Sequence, residues 1–311
     1  MKRHLSQVRI RTGLIALTIL AAASVPVFAG GTAEEPQPLT RTAPEDILVT
    51  PEWVAERSEE IVILDIGRDF EDFEAGHVPG AAYVQREVIA VERDGVGGML
   101  PDPAVVAADL AELGVGHDTP VVVYDAGRGT WSSRLFWALE YLGHEQVHLL
   151  DGGVTAWEQA ELALSQEIQV PQRGDFEAEA REQLLADQEY VEANLGSDDV
   201  LILDARSPAE YRGEDVRAAR GGHVPGAVNL DWVNNSSGED PRFRPIEELA
   251  EIYAEAMQGH DGEVVTLCQG GFRAAHSYVA LRILGYEEAR MYDGSWSEWG
   301  NDPDAPIETE A

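Results

Sequence analysis

The sequence predicts an α/β protein made of two tandem domains, each a mostly parallel sheet with helices on both faces. Three observations carry that prediction. The first is self-similarity. Leu64-Asp-Ile-Gly-Arg, followed by Gly76-His-Val-Pro-Gly-Ala, returns as Leu203-Asp-Ala-Arg followed by Gly222-His-Val-Pro-Gly-Ala. Gly143 and Trp157 return as Gly285 and Trp299, both at a separation of 142. A period this long means duplicated domains rather than a solenoid. The second observation is alternation of short apolar strands with helical segments, the pattern of a parallel sheet covered on both sides. The third is size: each copy has about 120 residues, enough for one core.

Taken in order, residues 1–29 read as a removable export signal. Lys2, Arg3, Arg9 and Arg11 make a basic start, Leu14 to Phe28 is apolar but short for a bilayer span, and Val27 and Ala29 suit cleavage after Ala29. An uncleaved anchor is the alternative. A periplasmic or extracellular location follows, with no stable membrane association once the signal is removed. Residues 30–45, with Pro36, Pro38 and Pro44, read as a flexible lead.

The first domain is expected over 46–164, with strands Ile61–Asp65, Val121–Asp125 and Val147–Asp151 and helices near Pro103–Leu113 and Ser133–Leu142. Gly95–Gly98 reads as a loop. Residues 165–185 read as the interdomain connection. The second domain is expected over 186–305, with strands Val200–Asp204, Val264–Cys268 and Ala289–Asp293 and helices near Ile246–Met257 and Ala274–Leu284. Residues 306–311 are left as a tail.

One cysteine exists, Cys268, so no intramolecular disulfide can form. It follows the β-branched run Val264-Val-Thr-Leu and precedes Gln269-Gly-Gly-Phe-Arg and an alanine-rich helix. A thiol between a strand end and a helix start meets unpaired N–H groups and the positive end of the helix dipole, which favour its anion. The alternative is an inert buried cysteine.

The charge balance is extreme, with 22 Lys+Arg against 57 Asp+Glu for a net of −35. The signal holds four of the cations and no acid, and Lys2 in it is the single lysine. Nucleic acid and anionic lipid are thereby disfavoured as partners. The acids are spread along the chain, which suits a protein in concentrated salt, where repulsion is screened. A genome that replaces Lys with Arg is the alternative.

Asp-Ala-Arg, Gly-His-Val-Pro-Gly-Ala, the Cys-Gln-Gly-Gly-Phe-Arg loop and the Asp-Gly-Gly…Trp stretch, with corresponding motifs in the same order in both halves, resemble the tandem-domain rhodaneses. That family contains thiosulfate and 3-mercaptopyruvate sulfurtransferases, and the resemblance runs from Ile47 to about Pro303. It implies two rhodanese-like domains, the first silent because Asp125 stands where the second has Cys268. It also implies that an accessible Cys268 thiolate takes a sulfane sulfur as a persulfide and passes it to a thiol or cyanide, without metal or organic cofactor. The N–H groups of Gly270, Gly271, Phe272 and Arg273 are expected to converge on that sulfur. Arg273 gives the spacing Cys-x4-Arg, tighter than the Cys-x5-Arg of phosphatases, which suits sulfur better than phosphate.

Substrate choice is less legible. Gln269-Gly270 matches neither the Arg-Lys of thiosulfate-type members nor the Gly-Ser of mercaptopyruvate-type members. Glu210 stands where animal-type members have a substrate-binding arginine. Arg220 and Arg273 are the candidate replacements, Arg206 reads more readily as a structural ion-pair member, and Arg217 is the weaker candidate. Thiosulfate is the favoured donor, with 3-mercaptopyruvate as the alternative. Two other classes stay open: a sulfur carrier serving a protein acceptor, and a non-catalytic module, which would require a buried Cys268. His77 and His223 recur at one motif position and read as fold support. Asp65, Asp204, Asp151 and Asp293 are expected to bond turn amides, and Trp157 and Trp299 to sit in cores or between domains.

Overall fold

The computed structural model describes residues 42–309, and every element below belongs to those residues. The export signal and most of the lead lie outside them. The first domain opens with β1 (Leu48–Val49), α1 (Pro51–Arg57), β2 (Val62–Ile66), α2 (Phe70–Ala75) and β3 (Ala82–Val84). A hairpin of β4 (Val91–Arg93) and β5 (Val96–Met99) follows, then α3 (Pro103–Glu112). β6 (Val121–Tyr124), α4 (Thr130–Tyr141), β7 (Val147–Leu150) and α5 (Gly153–Gln159) complete it. The second domain has β8 (Leu185–Ala186), α6 (Gln188–Ala193), β9 (Val200–Asp204), α7 (Pro208–Tyr211) and β10 (Val228–Asn229). It ends with α8 (Ile246–Met257), β11 (Glu263–Leu267), α9 (Phe272–Ile283), β12 (Ala289–Tyr292) and α10 (Ser295–Trp299).

The sheets have the orders β1-β7-β6-β2-β3 and β10-β9-β11-β12-β8, and every pairing in them is parallel. Read from opposite ends, the two orders are the same. β6 and β11 are central, and an all-apolar Val121-Val-Val stretch suits a strand covered on both faces.

The copies meet along α4 and α9. Both helices are buried almost throughout, Ser132–Tyr141 in one and Ala274–Ile283 in the other. One side of each lies on its own sheet and another on its partner helix, which is why neither shows a polar face. Polar groups in that contact are paired across it: Arg282 bonds Glu140 at 3.1 Å, and the Tyr278 hydroxyl donates to Glu140 at 2.7 Å.

Several boundaries move. Residues 42–45 are not a free lead, because the Thr42 hydroxyl donates to the Val147 carbonyl and accepts from its N–H, both at 2.8 Å, and Pro44–Asp46 form a 3-10 turn. The 165–185 connection is a strap laid along the first domain: Ser165 pairs with His77, Phe176 is buried, and the Glu179 and Arg181 amides donate to Leu142 and Tyr141. Its last residue, Leu185, already lies in the second sheet. Glu308 in the expected tail pairs with His223. In each case backbone groups that would otherwise be unpaired find a sheet edge or a helix end. Gly95–Gly98 is the turn and return strand of the β4–β5 hairpin rather than a loop.

Candidate active site

Cys268 follows the last residue of β11, and its backbone is fastened from behind. Its carbonyl accepts from the Trp296 amide at 2.9 Å, and its N–H donates to Ser295 Oγ at 3.2 Å. The Gln269 carbonyl accepts from the Ser297 amide at 2.8 Å. With those carbonyls held by α10, the chain turns through Gly271 at φ +86° into α9. The first bond of α9 runs from the Ala275 amide to the Gly271 carbonyl. Amides earlier in the turn have no acceptor four residues back, as at any helix start.

The equivalent loop of the first domain shows what such amides do. Asp125 follows β6, and Oδ1 accepts from the amides of Gly127 at 2.8 Å and Gly129 at 3.0 Å. Oδ2 accepts from those of Trp131 at 3.1 Å and Ser132 at 3.3 Å. Four N–H groups thus close on one internal anion. Gly127 aligns with Gly270, Gly129 with Gly271, Trp131 with Arg273 and Ser132 with Ala274. The expected donor set in the second domain therefore gains Ala274, and Phe272 has no counterpart among the four. The first-domain loop is also one residue longer, with four residues between Asp125 and α4 against three between Cys268 and α9.

The thiol is not open to solvent. Cys268 is 1 % exposed, against the accessible nucleophile expected. Its position at the end of a central strand, under its own loop, accounts for that burial.

The arginines are placed differently from expectation. Arg273 is committed to Glu210 in a bidentate pair at 2.7 and 2.9 Å, so its guanidinium is not a free anion contact. Glu210 itself is fixed by a capping box with Ser207 at the start of α7. Burial pushes the Glu210 carboxyl up, but the hydrogen bonds and charge of Arg273, with help from Ser207, outweigh it and hold it at about 2. Arg220 is no substrate ligand: its guanidinium is enclosed by the carbonyls of Trp299, Asp302, Pro303 and Ala305. Arg206 is buried against Asp204 and the Gly222 carbonyl, a structural pair. Arg217, the weaker candidate, is the one brought to the site. Its carbonyl accepts from Gln269 Nε2 at 3.2 Å, its half-exposed side chain reaches Glu210 at 3.6 Å, and Asp215 holds it at 2.7 Å.

His77 and His223 stack on Phe73 and Tyr211, and each donates from Nδ1 to that neighbour's carbonyl. Trp157 and Trp299 sit in separate domain cores. Of the four aspartates only Asp204 bonds an amide of its own turn, that of Arg206. Asp65 pairs with Arg68. Asp151 and Asp293 reach into the opposite domain, to the amides of Phe243 and Leu100, both at 2.9 Å. The two motif positions differ in kind: Asp65 and Asp204 bond within their own domains, whereas Asp151 and Asp293 each cross to the other.

A family model described as the rhodanese-like domain matches residues 50–160 and 187–302. A thiosulfate sulfurtransferase of Pseudomonas aeruginosa is 36 % identical over 266 residues, covering 84 % of this chain and 97 % of the relative. A probable 3-mercaptopyruvate sulfurtransferase of the same organism is 37 % identical, covering 84 % and 98 %. The crystal structure of the Escherichia coli 3-mercaptopyruvate sulfurtransferase SseA superposes with a TM-score of 0.73 at 29 % identity, covering 81 % of this chain and 99 % of that one.

Proposed function

The chain belongs to the tandem-domain rhodanese family, and from that premise we propose that it is a thiosulfate sulfurtransferase whose nucleophile is Cys268. One observation carries the reading. The Asp125 loop is an anion cradle filled by its own carboxylate, and the matching loop carries Cys268 at the equivalent chain position, directly after the central strand and with three residues between it and the helix. A thiolate and then a persulfide, each carrying one negative charge, take the place of that carboxylate.

The steps balance. The Cys268 thiolate attacks the outer sulfur of thiosulfate, an S–S bond forms to Sγ, and the S–S bond of the donor breaks with its electron pair leaving on sulfite. Cyanide or a thiolate then attacks the terminal sulfur and returns Cys268 as thiolate. The tighter loop suits one sulfur atom at the centre. Arg217, half-exposed and joined to the loop through its carbonyl and Gln269, is the cation we assign to the donor anion, which would have to compete with its pairs to Asp215 and Glu210. In a chain of net charge −35 such a local cation draws an anion inward. The basic and apolar character of residues 1–29 supports export, with the enzyme working outside the cytoplasm on small donors and thiol or protein acceptors.

The test is sulfur transfer to cyanide from thiosulfate and, separately, from 3-mercaptopyruvate, at low and high salt, beside Cys268→Ser. Turnover with thiosulfate that the serine variant abolishes is expected. A preference for 3-mercaptopyruvate would reassign the donor. Transfer of a single sulfur without turnover would make the chain a carrier.

A further inference from the structure

We propose that the silent domain is a positioning part of the catalytic site, through Gly97–Gly98 of its β4–β5 hairpin and through Arg134 of α4. The inference rests on the reading of Cys268 as the nucleophile. Three consecutive residues of the catalytic loop touch the first domain. At Gly270, a Cβ would lie 3.5 Å from the Gly97 carbonyl oxygen, and a Cβ built on Gly98 would lie 2.9 Å from the Gly270 carbonyl oxygen. At Gly271, a Cβ would fall 2.6 Å from Arg134 Nη1, so the guanidinium occupies the volume a side chain would need. Phe272 packs on Trp131 with ring centroids 4.4 Å apart, and Arg134 lies 5.7 Å over its ring.

Arg134 is fully buried and joins three places. It donates to the Gly98 carbonyl at 2.8 Å, pairs with Asp293 beyond β12, and lies against Gly271. Asp293 in turn accepts from the Leu100 amide, which follows the hairpin. Hairpin, guanidinium, loop and β12 therefore form one closed contact. Because Asp293 is bonded directly to Arg134, the two charges largely cancel beyond their immediate neighbours. The effect on Cys268 is therefore one of position rather than field. Amides that stabilise an anion work only at hydrogen-bond distance, and displacement of about 1 Å can cost a hundredfold in rate. The hairpin holds the loop's outer wall where those amides converge.

The hairpin supplies its own control. Gly95 and Gly98 both have positive φ, +84° and +88°, so alanine carries similar backbone strain at either. A Cβ on Gly95 meets nothing within 4 Å, whereas one on Gly98 presses on Gly270. The experiment compares Gly98→Ala, Gly95→Ala, Arg134→Met and Cys268→Ser in the full chain. Thiosulfate kcat and KM, the pH profile of Cys268 alkylation by iodoacetamide, and thermal midpoint are measured for each.

Gly98→Ala is expected to lower kcat about tenfold with KM held, since a few tenths of an ångström must be absorbed by the loop, and to move the alkylation profile to higher pH. Gly95→Ala is expected to stay within about twofold of the parent on both. Arg134→Met is expected to reproduce the kcat loss and the profile shift. If it does not fold, the glycine pair decides. Equal effects of the two glycine variants, large or small, would overturn the proposal. So would an Arg134→Met protein that folds and keeps both kcat and profile. Turnover surviving in Cys268→Ser would instead remove the nucleophile assignment on which the inference rests.

Discussion

The Asp125 and Cys268 loops leave equivalent central strands and enter equivalent buried helices, yet one is closed on itself and the other carries a thiol. In the first, the carboxylate brings its own negative charge and two acceptor oxygens, and four backbone amides are satisfied internally. Its turn holds one more residue. In the second, Cys268 follows the strand and the turn is one residue shorter, so on the proposed reading the loop amides are left for an anion that changes during the reaction. The difference teaches that two loops of equivalent place in the fold are set apart by the residue after the strand and by the count of residues before the helix. The first cradle is an internal bond network that ties its loop to the strand end.

Exchange of the central residues breaks the comparison most sharply. Cys268→Asp should abolish turnover, a loss of more than about a thousandfold, because a carboxylate cannot carry sulfane sulfur. The double variant Asp125→Cys/Cys268→Ser should gain none, since Trp131 stands where the catalytic loop has Arg273 and the turn is longer. Cyanolysis of thiosulfate reads both, and turnover by the double variant would show that loop length and the arginine are dispensable.

Next in size is Asp125→Ala. It strands four amides that had charged acceptors, and a loss of about 3–5 kcal/mol in denaturant unfolding is expected. Turnover per folded molecule should change by less than about tenfold. A stability change under about 1 kcal/mol would mean that the amides find other partners as readily.

The smallest effect is expected at the pair that the catalytic copy alone possesses. Glu210→Gln releases Arg273 toward the donor, and KM for thiosulfate should fall about fivefold, equivalent to roughly 1 kcal/mol. Because Glu210 is held at about 2, below its ordinary value, its stabilisation is present above about pH 4.5 and is lost as pH falls toward 2. That part of the acid-unfolding slope should be missing in the variant. An unchanged slope would place the acid sensitivity elsewhere.

Much of this architecture was legible in residue order. The strand and helix cores of both copies, the duplication, and Cys268 on a turn before a helix all follow from apolar runs, glycines and repeated motifs, which are local signals. The expectation that the first loop is inert rests on Asp125 alone, given the repeat. Less legible were the partners of the charged residues. Arg220 and Arg273 looked like free cations, and each is taken, one by four carbonyls and the other by Glu210. Gly95–Gly98 carried no signal for its place against the catalytic loop, because a hairpin's neighbours in another domain leave no pattern in the hairpin. Arg134 looked like one more residue of an α4 helix and is the buried link between loop, hairpin and β12.

By itself the amino-acid order determined two parallel-sheet domains, the single cysteine on a turn before a helix, and the family of chemistry. These depend on backbone preference, periodicity and the identity of one side chain at one turn. Tertiary structure alone decided which arginines are already paired, how deeply the thiol is set, and that the Cys268 loop is braced by the other domain. Those depend on distances between groups far apart in the chain, from Gly98 to Gly270 and from Arg134 to Asp293, where close packing and charge pairing are settled only once both cores have formed.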